Sequence, residues 1–268
     1  MTIGMNNLGR NGRIGNQMFQ YAALVGIAKN RGYDFVIPHD TELSNCFEML
    51  HCGGRLGFID GDEVELHDSH EFCQELYDHC PNHVHLNGYF QSDKYFRDAW
   101  RQLKWDFRFK DPVINAVDYK WGDILSEDPV SICVREYNNH FDYPGASNNH
   151  RNLPWEYWEK AIEMMGKDRP YIICSNNLEL CKGQDVFKGD NFYFNDITVD
   201  VDKSHFDMCL LSKCSDHIIS NSTFSWWAAY LSQNKEKRVI APDPWYGSGL
   251  QHISTQDLIP ESWEVIKA

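Results

Sequence analysis

The stretch HIISNSTFSWWAAYL, His217 to Leu231, reads as a buried strand running into a helix. An apolar run ends at Ser220, hydroxyl and amide residues follow, and aromatic and small residues then recur at helical spacing. Ser222 is placed as the helix N-cap, because a side-chain oxygen there accepts from a free first-turn N–H. Those N–H groups, with the hydroxyls of Ser222, Thr223 and Ser225, make the kind of helix start where anions bind beyond a strand's carboxyl end. Capping alone accounts for the same residues, so the stretch speaks first about fold.

Outward from it, β-branched runs alternate with helical patterns: Val130–Arg135, Trp155–Met165, Tyr171–Cys174, Asn191–Phe194, Lys203–Lys213, and, after the opening stretch, Arg238–Pro242. This alternation predicts βαβ units, right-handed crossovers and a doubly wound parallel sheet of about five strands. The first half carries a Gly-rich loop (Gly9, Gly12, Gly15), an amphipathic helix from Asn16 to Asn30 and a strand at Asp34–Pro38. Thr41–Pro81 has weak periodicity, and Val84–Phe90 and Asp93–Leu103 read as a strand and a helix. Phe107–Asp128, interrupted by Pro112 and polar in composition, is expected to connect two domains, residues 1–120 and 121–268. The expected fold class is α/β, two Rossmann-like domains facing across a cleft.

Composition narrows the partners. No run of the 268 residues approaches the twenty apolar residues of a membrane span, and Met1–Arg13 lacks a signal-peptide core, so a soluble cytoplasmic protein is expected. The nine cysteines sit mostly inside apolar patterns rather than at disulfide-framework spacings. A formal charge of −14 argues against nucleic acid, which needs a basic surface. An anionic ligand must therefore be held by a few local groups.

Arg135 closes the apolar run SICVREY, Ser131–Tyr137, where a guanidinium suits a diphosphate or a neighbouring acid. The loop at Gly12 and Gly15 permits close backbone approach but matches neither GxGxxG nor a P-loop. The His- and Cys-rich stretch from His67 to His85 contains Cys80 and His83 as a CxxH but no second pair at finger spacing, so structural histidines are expected and no metal site. No GxSxG elbow or HExxH helix is present, and Cys133 beside Arg135 reads as a small apolar residue unless its anion is stabilised.

Three blocks carry a resemblance: GRIGNQMFQYA (Gly12–Ala22), LNGYFQSDKYF (Leu86–Phe96) and NSTFSWWAAYL (Asn221–Leu231), followed by VIAPDPWY (Val239–Tyr246). In this order they resemble the α-1,2-fucosyltransferases of glycosyltransferase family 11. The resemblance implies a GT-B-like architecture and an inverting transfer of L-fucose from GDP-fucose to a glycan hydroxyl. No metal and no cofactor beyond that donor is implied. Thr223, Phe224 and Ser225 would then lie at the donor phosphates or fucose, and Asp207 would accept from guanine. Gly12, Gly15, Asn16 and Gln17 would approach the diphosphate. The family's strand-end block, HxRRxDY, is reduced here to Cys133-Val134-Arg135-Glu136-Tyr137, keeping one arginine. That departure leaves open a transferase for another GDP-sugar, or a non-catalytic binder. The base is open among Glu136, His140, Asp142 and Asp93.

Overall fold

The structure is a computed structural model describing residues 1–49, 53–66, 71–138, 142 and 144–268. The chain forms two compact units, Met1–Lys110 with Ile253–Pro260, and Asp111–His252 with Glu261–Ala268.

The first unit is built on a parallel sheet ordered β3-β2-β1-β5-β4. Its strands are β1 (Thr2–Gly4), β2 (Asp34–Ile37), β3 (Arg55–Leu56), β4 (Asp62–Glu65) and β5 (Val84–Asn87). Helix α1 (Ile14–Arg31) starts two residues earlier than its periodicity suggests and is buried from Gln17 through Ala28. Its apolar and small residues make it a core helix rather than a surface one. A Cβ on Gly26 would lie 1.8 Å from the Tyr95 carbonyl oxygen, so the segment after β5 rests directly on the α1 backbone. Gly32, at φ +66, ends the helix in the left-handed conformation that glycine adopts without cost. Short helices α2 (Glu42–Cys46) and α3 (Gln74–His79) occupy the weakly patterned region, and α4 (Trp100–Asp106) follows two 3₁₀ turns.

The second unit holds a six-stranded parallel sheet ordered β11-β10-β9-β6-β7-β8. Along the chain these are β6 (Val130–Val134), β7 (Tyr171–Ser175), β8 (Phe192–Phe194), β9 (Asp216–Ile219), β10 (Val239–Asp243) and β11 (Glu264–Lys267). The sixth strand, β11, escaped the sequence reading because it follows the detour of Ile253–Pro260 through the first unit. The helices of this unit are α5 (Asp111–Leu125), α6 (Ala146–Asn149), α7 (Trp155–Met165), α8 (Leu178–Lys182), α9 (Lys203–Ser212) and α10 (Thr223–Leu231).

The segment expected to connect domains is largely α5. Its buried Val113, Val117 and Trp121 recur every four residues, and Pro112 sits in the first turn where its missing N–H costs nothing. The division between units falls at Lys110/Asp111, and residues 120 and 121 lie inside this helix. Along β6, Val130, Ile132 and Val134 join the core with Trp158 and Ile162 of α7. Period-two alternation sends Ser131 and Cys133 to the opposite face. There α9 packs against β6 and β7. Trp226 and Trp227 of α10 are fully buried, and truncating either to alanine costs about 3–5 kcal/mol. No helix among the described residues is long and apolar enough to cross a membrane.

Candidate functional site

In the second sheet, β6, β7 and β8 run outward one way and β9, β10 and β11 the other, from neighbours β6 and β9. The crevice beyond their carboxyl ends is the switch point where open α/β sheets bind ligands. Cys133 pairs with Ile219, so the residues that follow the two strands, Arg135 and Asn221 among them, emerge side by side.

Beyond β9 the chain turns at Ser220 and Asn221, and Ser222 caps α10 by accepting from the Phe224 N–H at 3.3 Å. The Ser225 hydroxyl is buried and turned inward, donating to the Ser220 and Ser222 carbonyls, both at 2.9 Å. It shapes the loop. Thr223 and Phe224 are partly exposed at the first turn, where unsatisfied N–H groups and the helix dipole favour an anion.

Arg135 faces this helix start from β6. Its Nη2 donates to the Asp142 carboxylate, and its guanidinium carbon lies 4.9 Å from the centroid of the Tyr137 ring. The side chain is 20% exposed, and among the described residues its Nε and Nη1 donors have no acceptor. Asp142, considered as a base, is thus a counter-ion, and it also accepts from the Asn138 N–H at 2.9 Å. Glu136 is held through its backbone by a reciprocal pair with the Asn176 amide, both bonds 2.8 Å. Asn177 Nδ2 donates to one Glu136 carboxylate oxygen, and the other has no partner among the described residues.

Asp207 projects from α9 toward Cys133 and Cys174. Asn195 Nδ2, at 2.6 Å, and Lys203 Nζ both donate to its Oδ1, leaving Oδ2 without a hydrogen bond among the described residues. Burial to 15% exposure pushes its carboxyl up to about 6, against the pull of Lys203 and Asn195. Burial likewise pushes the Cys133 thiol up to about 12, with Asp207 adding to the effect, so this cysteine stays protonated at neutral pH.

In the first unit, Gly12 lies in the turn before α1, and Gly15, Asn16 and Gln17, expected in the loop or at the helix start, lie in the first turn of the helix, which starts without a side-chain cap. Gly12 has φ +90, and a Cβ there would sit 2.2 Å from Asn16 Nδ2. The amides are committed locally. Gln91 Nε2 donates to Asn16 Oδ1 at 3.1 Å, and Gln17 Nε2 donates to the Gly12 carbonyl at 3.2 Å. Gln17 Oε1 accepts from the Glu42 N–H at 3.0 Å. Asp93 is nearly buried and takes both an Nε and an Nη2 donor of Arg97, at 2.7 and 2.9 Å. His140, like His67 and His70 of the His- and Cys-rich stretch, lies outside the described residues. No group of three or more His, Cys, Asp or Glu side chains among the described residues is arranged to hold a metal ion.

Sequence reasoning passed over His150, whose ring stacks on Tyr137 with centroids 4.7 Å apart, and Asn195, the partner of Asp207. Burial and then Arg135 hold the His150 imidazole below its ordinary value, with Asp142 opposing. Neither residue stands in a motif. Each reaches the edge through a loop whose course only the fold sets.

Among curated proteins, the O-antigen biosynthesis glycosyltransferase WbnK of Escherichia coli is 28% identical over 196 residues, covering 70% of this chain and 64% of that protein. The chain therefore spans less than two thirds of that relative's length. The alpha-1,2-colitosyltransferase of Escherichia coli is 25% identical, covering 94% of this chain and 95% of that one. Galactoside alpha-(1,2)-fucosyltransferase 2 of Oryctolagus cuniculus is 27% identical, covering 85% and 67%. Among solved structures, NodZ alpha-1,6-fucosyltransferase soaked with GDP-fucose superposes with a TM-score of 0.54 at 12% identity, covering 86% of this chain and 92% of that one. POFUT1 in complex with GDP gives 0.55 at 11%, covering 90% and 97%. At such identities the structural likeness speaks for the fold, a GT-B-like pair of parallel α/β sheets. The family model for glycosyl transferase family 11 matches residues 1–267, and the chain belongs to that family.

Proposed function

We propose that the protein transfers L-fucose from GDP-fucose to a glycan hydroxyl with inversion, forming an α-1,2 linkage. The observation that carries the reading is Arg135, a guanidinium with spare donors at the β6 end beside the α10 N-terminus at the β9 end. Together they offer positive charge to the diphosphate that departs as GDP. Relatives named as α-1,2-fucosyl- and α-1,2-colitosyltransferases support the linkage, and structural neighbours holding GDP-fucose or GDP support the donor class.

In the transfer, the acceptor oxygen bonds to the anomeric carbon, the bond from that carbon to the β-phosphate oxygen breaks, and GDP leaves with the electron pair. The acceptor proton goes to a base. Of the candidates among the described residues, Asp93 and Asp142 each serve an arginine, whereas Glu136 keeps one oxygen without a partner among those residues. We therefore assign the proton to Glu136. Asp207 Oδ2, projecting from α9, is the acceptor for guanine N–H groups. Glu136→Gln should retain GDP binding while turnover falls by about two to four decades.

The colitosyltransferase match over nearly both full lengths favours a second reading, a different GDP-sugar in the same site. GDP release from a panel of GDP-sugars, with and without glycan acceptors, separates the two. Turnover confined to GDP-fucose supports the first reading. Turnover confined to another GDP-sugar overturns it.

A further inference from the structure

Tyr137 lies just past the β6 end, where it touches more of the edge than any motif assigns to it. Its ring lies beneath the Arg135 guanidinium at 4.9 Å, and its hydroxyl donates to the Asn221 carbonyl at 2.8 Å. Asn221 immediately precedes the α10 N-cap, and its own Nδ2 donates to the carbonyls of Arg151 and Trp245, both at 2.9 Å. The Tyr137 backbone is fixed in turn by Asn152, which accepts from its N–H at 2.7 Å and donates to its carbonyl at 3.2 Å. One side chain therefore touches both positive features of the edge, the guanidinium and the loop that opens α10.

We infer that Tyr137 is a positioning residue that fixes the Arg135 guanidinium relative to the α10 N-terminus, so that both meet one nucleoside diphosphate. The inference rests on the GDP-sugar reading above. An arginine side chain has several rotatable bonds, and among the described residues Asp142 holds it by hydrogen bond at one nitrogen. A flat ring beneath the guanidinium plane restrains its tilt, and the hydroxyl carries that restraint to the helix loop. Oriented before the ligand arrives, the guanidinium loses less freedom on binding.

The test is a double-mutant cycle on GDP affinity by titration calorimetry, with thermal melting alongside. Tyr137→Leu removes ring and hydroxyl, and Tyr137→Phe keeps the ring but cuts the link to Asn221. In the wild-type background Tyr137→Leu should weaken GDP about tenfold and Tyr137→Phe about threefold. In the Arg135→Ala background both losses should shrink below twofold, because no guanidinium remains to position. A merely structural tyrosine would give the same loss in both backgrounds, and that result overturns the inference, as does unchanged affinity in both Tyr137 variants. If Tyr137→Leu does not fold, the Tyr137→Phe pair decides alone. Wild-type protein that binds no GDP removes the GDP-sugar reading itself, and wild-type binding with additive losses removes only the role of Tyr137.

Discussion

The carboxyl edges of the two sheets are furnished differently. In the first unit, neutral amides hold the loop by bonding within the unit: Asn11 to Asn87, Gln91 to Asn16, and Gln20 to the carbonyls of Asn11 and Gly88. In the second unit, charged groups stand at the edge with capacity to spare, namely Arg135, Glu136 and Asp207. The amide network fixes backbone shape without formal charge, although Gln20 Oε1 is buried without a hydrogen-bond partner among the described residues. A half-buried charge with an open donor or acceptor is retained at a cost in stability, which a charged or polar ligand offsets on binding. The amide bonds fix the loop geometry of the first edge, which also carries the exposed Arg10 and Arg13, whereas the second edge presents partly buried charge.

The largest expected effect falls on the charged edge. Arg135→Ala should lower kcat/KM by about two to three decades, roughly 2.7–4 kcal/mol. It also removes the counter-charge of the partly buried Asp142 carboxylate, so the melting temperature should fall. Adding Asp142→Asn should recover most of the stability and none of the activity. Arg135→Lys should recover part of the activity, since an ammonium keeps the charge but not the planar fork. Activity that returns with stability in the double variant would reduce Arg135 to a structural ion-pair partner.

Asp207 tests the same edge through pH. Its folded-state carboxyl is raised to about 6, above the ordinary aspartate value. The folded protein therefore holds a proton that the unfolded chain releases between about pH 4 and 6, and stability falls as pH rises through that window. Asp207→Asn should be more stable than wild type at pH 7.5, by up to about 3 kcal/mol, with the advantage fading toward pH 4.5. GDP affinity should run the other way, declining in wild type as pH drops through about 6 and staying low and flat in the variant. Equal melting curves at both pH values would remove the burial cost assigned to this carboxylate.

In the amide-bonded loop of the first edge, effects should be smaller and sensed first by folding. Gly12→Ala places a Cβ against Asn16 at φ +90 and should cost about 1–3 kcal/mol in denaturant unfolding. Asn16→Ala removes the bond that Gln91 Nε2 donates to Asn16 and should cost about 0.5–1.5 kcal/mol. A loss of GDP affinity in Asn16→Ala equal to that of Arg135→Ala would undo the contrast between the edges.

The parallel sheet of the second unit was readable because each strand is a short apolar run and each helix a periodic one. The Ser222 cap followed from residue chemistry within three positions. Helix α5 was missed because Pro112 and polar residues masked a three-residue apolar stripe, and a proline in a first turn looks the same in sequence as one that breaks a chain. Strand β11 was missed because a four-residue run gains its status only by pairing with β10.

The amino-acid sequence by itself determined the family, the α/β class, the α10 start and the presence of Arg135 at a strand end, since these rest on local pattern and on motifs in order. Tertiary structure alone decided how those residues are employed. It turned Asp142 into a counter-ion and Asp93 into a partner of Arg97, buried the Ser225 hydroxyl, and brought Tyr137 and His150 to Arg135. The physical reason is that a side chain's role depends on its burial and on which donors and acceptors remain unmatched. Both are set by segments as distant as Tyr137 and Asn221, 84 positions apart in the chain.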